Sequence, residues 1–138
     1  MKEKISSWIQ ESSEKALKFE KNAINLSVHV LIEQEEDLYT AHCLEFDIVA
    51  DGKTIEEVEK NILDAIVSHV GFCVAYNNID KILNPAPQEF WTKFYFGSEK
   101  LREYTFPEDY SKEDINLSSV QKFIKDVNFS KSQSHVYA

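Results

Sequence analysis

Four histidines, two cysteines and 24 carboxylates give this 138-residue chain its capacity for chemistry. His29 and His42 fall on segments that read as neighbouring strands, and Cys43 follows His42, so this trio is the natural candidate for a metal. Successive strand residues point to opposite faces, however, and His42 and Cys43 cannot share a tetrahedral ion without distortion. No metal site is therefore expected. His69 lies on an apolar helical stripe and reads as a satisfied interior histidine. Neither a serine nor a cysteine stands in a recognised nucleophile setting, and no glycine-rich loop is present to cradle a phosphate. Cys43 and Cys73 have apolar flanks and read as reduced interior thiols, not as a disulfide framework. The residues predict no catalytic group and no cofactor.

The carboxylates are distributed unevenly. Residues 1–21 carry a net +1, residues 22–80 two lysines against twelve acids for a net of −10, and residues 81–138 a net of zero, within a total of −9. The charge excludes a nucleic-acid binder acting through a general basic surface. It predicts instead that a strongly electrostatic partner of the middle segment is basic, although solubility alone also accounts for an acidic run. The acids best placed for such a partner are Glu33, Glu35, Glu36 and Asp37, in a polar hairpin turn. Glu45 and Asp47, at the end of the following strand, are expected to join that surface. The run Phe90–Phe96 is aromatic, but only Lys93 interrupts it, so a buried strand is favoured over a base-stacking platform.

The elements that must position these residues follow from periodicity. Residues 3–20 predict an amphipathic helix with Ile5, Trp8, Ile9, Ala16 and Phe19 on one face. Residues 24–33 alternate as a strand, and a second strand, Leu38–Leu44, puts Tyr39, Ala41 and Cys43 on one face and Thr40 and His42 on the other. A third strand, Ile48–Ala50, ends in Asp51-Gly52-Lys53. Thr54 and Glu57 form a capping box for a helix running to about Asn77. Its stripe from Val58 to Cys73, widened by Leu63, Val67 and Val74, looks too wide for one sheet, so terminal helices or a second subunit are expected to cover the remainder. Asn84-Pro85-Ala86-Pro87 is a stiff connector. A fourth strand is expected at Phe90–Phe96, with Leu101–Phe106 a candidate fifth. A second capping box at Ser118–Gln121 predicts a short helix burying Val120, Phe123, Ile124 and Val127, before a polar tail. Lys2 and Lys4 are followed by no apolar stretch of the kind a signal peptide needs, and no run of about 18 apolar residues is present to span a membrane, so a reducing cytoplasm is expected. The fold class is α+β, a single domain with an N-terminal helix (1–21), a core (22–97) and a C-terminal extension (98–138).

Residues 25–75 resemble the HicB family of bacterial antitoxins. Tyr39-Thr40-Ala41-His42-Cys43-Leu44-Glu45 is similar to the family's Y-x-A-x-C-x-E, and Asp47 to Thr54 is similar to D-I-V-x-x-G-x-T through Gly52 and Thr54. Ile55 to Ile66, with Glu57 and Asn61, resembles the acidic-start helix E-E-A-x-x-N-x-x-E-A-I. The resemblance implies a β-β-β-α-β core, a truncated ribonuclease-H-like sheet assembled into dimers or larger oligomers. It also implies a non-catalytic role, in which a small basic HicA-type ribonuclease toxin is bound and blocked. The N-terminal helix is an addition to that pattern. From Gly97 onward no helix-turn-helix or ribbon-helix-helix is recognisable, which argues against DNA binding and autorepression by this chain. The alternative is a solitary oligomeric HicB-like binding or regulatory module, RNA- or DNA-associated, without a toxin. A metal-dependent hydrolase using Glu57 and Asp64 is a control hypothesis, because the predicted strands lack the mid-strand carboxylates such chemistry needs.

Overall fold

The computed structural model describes residues 26–78, 81–107 and 123–133. The expected 3–20 helix and the Ser118–Gln121 capping box lie outside these residues. Alternating apolar residues place β1 at Leu26–Glu35 and β2 at Leu38–Cys43, with β3 at Ile48–Gly52. Helix α1 spans Ile55–Ala75 and α2 Gln88–Phe96, followed by β4 at Ser98–Tyr104 and β5 at Ile124–Ser132. The fold is α+β, with a β-β-β-α-β core order. The five strands among the described residues form one sheet in the order β3-β2-β1-β5-β4. The first three are antiparallel, β1 runs parallel to β5, and β4 returns antiparallel along β5.

The β1–β2 connection is tighter than its four polar residues suggest. Gln34 and Glu35 remain in the ladder opposite Tyr39 and Leu38. Only Glu36 and Asp37 turn the chain, with Glu36 at φ 54°, in the left-handed region a two-residue hairpin demands.

Each end of α1 is closed locally. Thr54 Oγ1 accepts from Glu57 N–H at 3.0 Å. The Glu57 carboxylate reaches back one residue beyond the cap, to Lys53 N–H at 2.9 Å. At the other end Asn77, at φ 55°, ends the helix in a Schellman motif, with Asn78 N–H donating to Cys73 O and Asn77 N–H to Val74 O.

The main core lies between the sheet and α1. Val28, Val30, Ile32, Ala41, Cys43, Val127 and Phe129 meet Val58, Ile62, Leu63, Ile66, Val67 and Val70. The wide α1 stripe is thus buried within one chain, Leu63 and Val67 included, because Phe46, Ile82, Phe106 and Phe123 extend the core past the sheet. These positions need no second subunit. Phe72 and Tyr76, on the outer side of the last turns, remain exposed with ring centroids 4.5 Å apart.

Two elements differ from the sequence expectation. Phe90–Phe96 is helical, not a strand. Phe90, Trp91 and Phe94, spaced i, i+1 and i+4, pack together against Leu31, Leu44 and Ala86 on the second face of the sheet, while Tyr95 and Phe96 face solvent. That grouping exists only at helical period, and Pro87 at the N-cap starts it. Ile124 and Val127 belong to a strand, not to a C-terminal helix. Their i, i+3 spacing mimics a helix, but Val127 and Phe129 face α1 while Asp126, Asn128 and Ser130 face the other way. The fourth strand in the chain is therefore β4, over part of the Leu101–Phe106 candidate.

Candidate functional site

The carboxylates expected on one surface divide between the two ends of the sheet. Glu35, Glu36 and Asp37 are exposed at the β1–β2 turn. The register Tyr39↔Gly52 brings the β3–α1 connection to that same end, so exposed Asp51, Glu56 and Glu57 join the acidic tip. In the sequence Glu56 and Glu57 read as helix-start residues and Asp51 as part of a turn; antiparallel pairing of β2 with β3 is what places them beside the hairpin. Glu33 points sideways instead, its carboxylate 2.9 Å from Lys93 Nζ of α2.

Glu45 and Asp47 sit at the opposite end and do not extend this surface. Leu44 to Asp47 form the β2–β3 turn, which gives one carboxylate to each of the sheet's two histidines. Glu45 accepts from His29 N–H at 2.7 Å and from the His29 Nδ1–H at 2.5 Å. Asp47, at φ 54°, accepts from the His42 Nε2–H at 2.6 Å. Both histidines point to the α2 face, where His42 meets the Phe90 ring edge-on at 4.6 Å. The His29 ring lies 5.2 Å from that of Phe94 and 5.9 Å from those of Trp91 and Tyr95. The turn therefore fixes the two imidazoles on which the aromatic helix sits. The adjoining connector is held by Asn84 N–H to Glu45 O and Ala86 N–H to Leu44 O, and Trp91 Nε1–H donates to Ala86 O at 3.1 Å.

Glu45→Ala leaves the His29 backbone N–H and ring without their acceptor. It should cost about 1–3 kcal/mol and loosen α2, read as a red shift of Trp91 emission in a Trp8→Phe background. Unchanged stability and emission would remove Glu45 from this role.

The motif residues are structural. Cys43 is fully buried, and burial pushes its thiol well above the ordinary range. Tyr39 packs against the main core, with Lys131 Nζ 5.8 Å from its ring centre. Gly52 lies against the backbone of α1, and Asn61 Nδ2–H donates to Asp51 O at 2.8 Å. His69 donates from Nε2 to Ile82 O at 2.8 Å, a satisfied interior histidine. Cys43 and Cys73 are both buried, and neither forms a disulfide. Among the described residues no group of three or more His, Cys, Asp or Glu converges to hold a metal. Asp64 is half-buried mid-helix, and the Glu57 carboxylate caps the start of α1.

Beside His29 the α2 face opens into a cavity of about 410 Å³ between the end of α2 and strands β1, β5 and β4. Phe94 and Tyr95 form its aromatic wall, and Asp126, Asn128, Lys100 and Glu103 its polar floor and rim. No helix among the described residues is long and apolar enough to cross a membrane. Compared with protein-family models, with curated proteins and with solved structures, the chain matches none.

Proposed function

We propose that the chain is a HicB-like antitoxin, which binds a small basic HicA-type ribonuclease and covers its catalytic face without doing chemistry itself. The observation that carries this reading is the acidic tip: Glu35, Glu36, Asp37, Asp51 and Glu56 are exposed together at one end of the sheet. A surface of one sign both steers and selects an oppositely charged partner. The motif positions support it further, since Gly52, Thr54 and Asn61 join the three-stranded meander to α1, the unit on which the resemblance rests. Two interior cysteines outside any disulfide suit a reducing cytoplasm.

The test is to mix the purified chain with the small basic protein encoded beside its gene. RNA cleavage should stop and the two should co-elute on gel filtration. The triple variant Glu35→Lys, Glu36→Lys, Asp37→Lys should slow association at least about tenfold at low salt. Cleavage unaffected by excess wild-type chain would defeat the reading.

A second reading, an oligomeric binding module without a toxin, draws on one specific observation. Phe72 and Tyr76 are 58% and 66% exposed, a tilted aromatic pair in contact, of residue types enriched at interfaces. Light scattering decides it: a Phe72→Ser, Tyr76→Ser variant should be monomeric where the wild type is not, and a monomeric wild type ends that reading.

A further inference from the structure

We infer that the cavity between α2 and the β5–β4 hairpin receives an arginine side chain of a basic protein partner. This rests on the proposed function for the partner's character, but the site itself is separate from the acidic tip and lies on the α2 face of the sheet.

The floor is made by strand alternation. Asp126 and Asn128 of β5 point to the face opposite the main core. Asn128 Nδ2–H donates to Asp126 Oδ1 at 3.0 Å and to Val28 O at 3.2 Å, which leaves the amide oxygen as the group with acceptor capacity. The rim is made by an irregularity. Between Lys100 and Arg102 the ladder gains one residue, Leu101, so Lys100 faces Ser130 while Arg102 faces Phe129 and Glu103 faces Asn128. In a regular strand, residues 100 and 103 would lie on opposite faces. The bulge puts Lys100 and Glu103 on the same face, over the cavity, and bulges recur where a strand must re-aim a side chain.

The chemistry of the walls selects the occupant. Asp126, Glu103, Asn128 and the rings of Phe94 and Tyr95 line an open groove of about 410 Å³, within the range of small-ligand pockets. A guanidinium satisfies all of them at once, giving forked hydrogen bonds to carboxylate and amide oxygens while its plane stacks on an aromatic ring. The cavity already holds a weak resident cation. Lys100 Nζ is 3.8 Å from Glu103 Oε2, and both side chains are more than half exposed. A pair so solvated contributes little, and an arriving guanidinium can displace the ammonium from the carboxylate.

The experiment titrates the whole chain with N-acetyl-arginine amide and follows backbone amide shifts by NMR. Saturable shifts are expected at Tyr95 and at residues 126–130. N-acetyl-citrulline amide, neutral and of nearly the same shape, should produce none. Asp126→Asn should weaken arginine binding about tenfold, and Lys100→Gln should strengthen it severalfold, a gain that misfolding cannot imitate. Equal response to citrulline, absence of saturation, or indifference to both substitutions would overturn the site. The partner arm separates the two readings. If the toxin complex forms and Asp126→Asn, Glu103→Gln leaves its affinity unchanged, this inference fails and the antitoxin reading stands. If arginine amide binds the groove but the chain does not block the toxin, the groove stands and the antitoxin reading fails.

Discussion

Replacing Arg102 with methionine should lower the stability of the chain by about 2–3 kcal/mol, a drop of roughly 8–12 °C in Tm for a domain of this size. Glu59 lies on the buried face of α1, its side chain only 8% exposed. Its Oε1 accepts from Arg102 Nη2 at 2.6 Å and from Nε at 3.0 Å. The guanidinium also lies 5.4 Å from the Phe129 ring centre and 5.7 Å from that of Tyr104. Losing it strands a carboxylate beside the core, and the desolvation of that charge then has no compensation. Breaking a fully buried pair costs about 3–5 kcal/mol. The outer half of Arg102 is in water, which can partly replace it, and the expected figure is lower for that reason. Removing both charges should restore much of the loss: Glu59→Gln with Arg102→Met is expected to lie within about 1 kcal/mol of wild type. Urea titrations of the four proteins give the coupling directly. A single-mutant loss below 0.5 kcal/mol (about twofold in the folding equilibrium) would show that the pair does not hold β4 to α1.

The second large effect is expected from one methyl group at Gly52. A Cβ built there falls 2.6 Å from the backbone nitrogen of Val58 and 2.9 Å from its Cα. Those atoms belong to the first turn of α1, which Thr54 and Glu57 already fix by hydrogen bonds. Neither a rotamer change nor a flexible side-chain end can relieve the clash, so the helix must move off the sheet. Gly52→Ala should cost about 2–3 kcal/mol, the upper range for overpacking. The contrast is Gly97, where the nearest atom to a built Cβ is the Lys93 carbonyl oxygen at 3.3 Å. Gly97→Ala should cost less than about 1 kcal/mol. Equal midpoints for the two variants in thermal unfolding would refute the close-approach account of Gly52.

Legibility in the sequence followed burial. The first half is legible because β1, β2 and α1 each carry one regularly spaced apolar face. Val28-Val30-Ile32 and Tyr39-Ala41-Cys43 alternate, the Val58–Cys73 stripe repeats at helical period, and Thr54 marks its own helix start. The second half was misread where the pattern was mixed. Phe90–Phe96 is rich in strand-forming residues, yet only Phe90, Trp91 and Phe94 are sheltered, and tertiary packing on Leu31 and Leu44 overrode propensity. β5 hid because its outward residues line a cavity and its inward ones include a helical spacing. The acids of the tip were half legible. The hairpin is visible in the sequence, but Glu45 and Asp47, expected beside it, occupy the opposite end of the sheet. A strand of six residues, Leu38–Cys43, separates the two turns.

The order of the strands also sets an order in time. β1 is central, and one of its two neighbours is β5, about 100 residues further along the chain. Closing a loop of that length costs about 2 kcal/mol more in chain entropy than closing one of ten residues. The hairpin partner of β1 is available almost at once, whereas β5 emerges only about 100 residues later. During synthesis the edge of β1 next to Val28, Val30 and Ile32 therefore stays unpaired, and it is vulnerable to pairing with another nascent copy. Folding of this chain is a race between the arrival of β5 and association through β1.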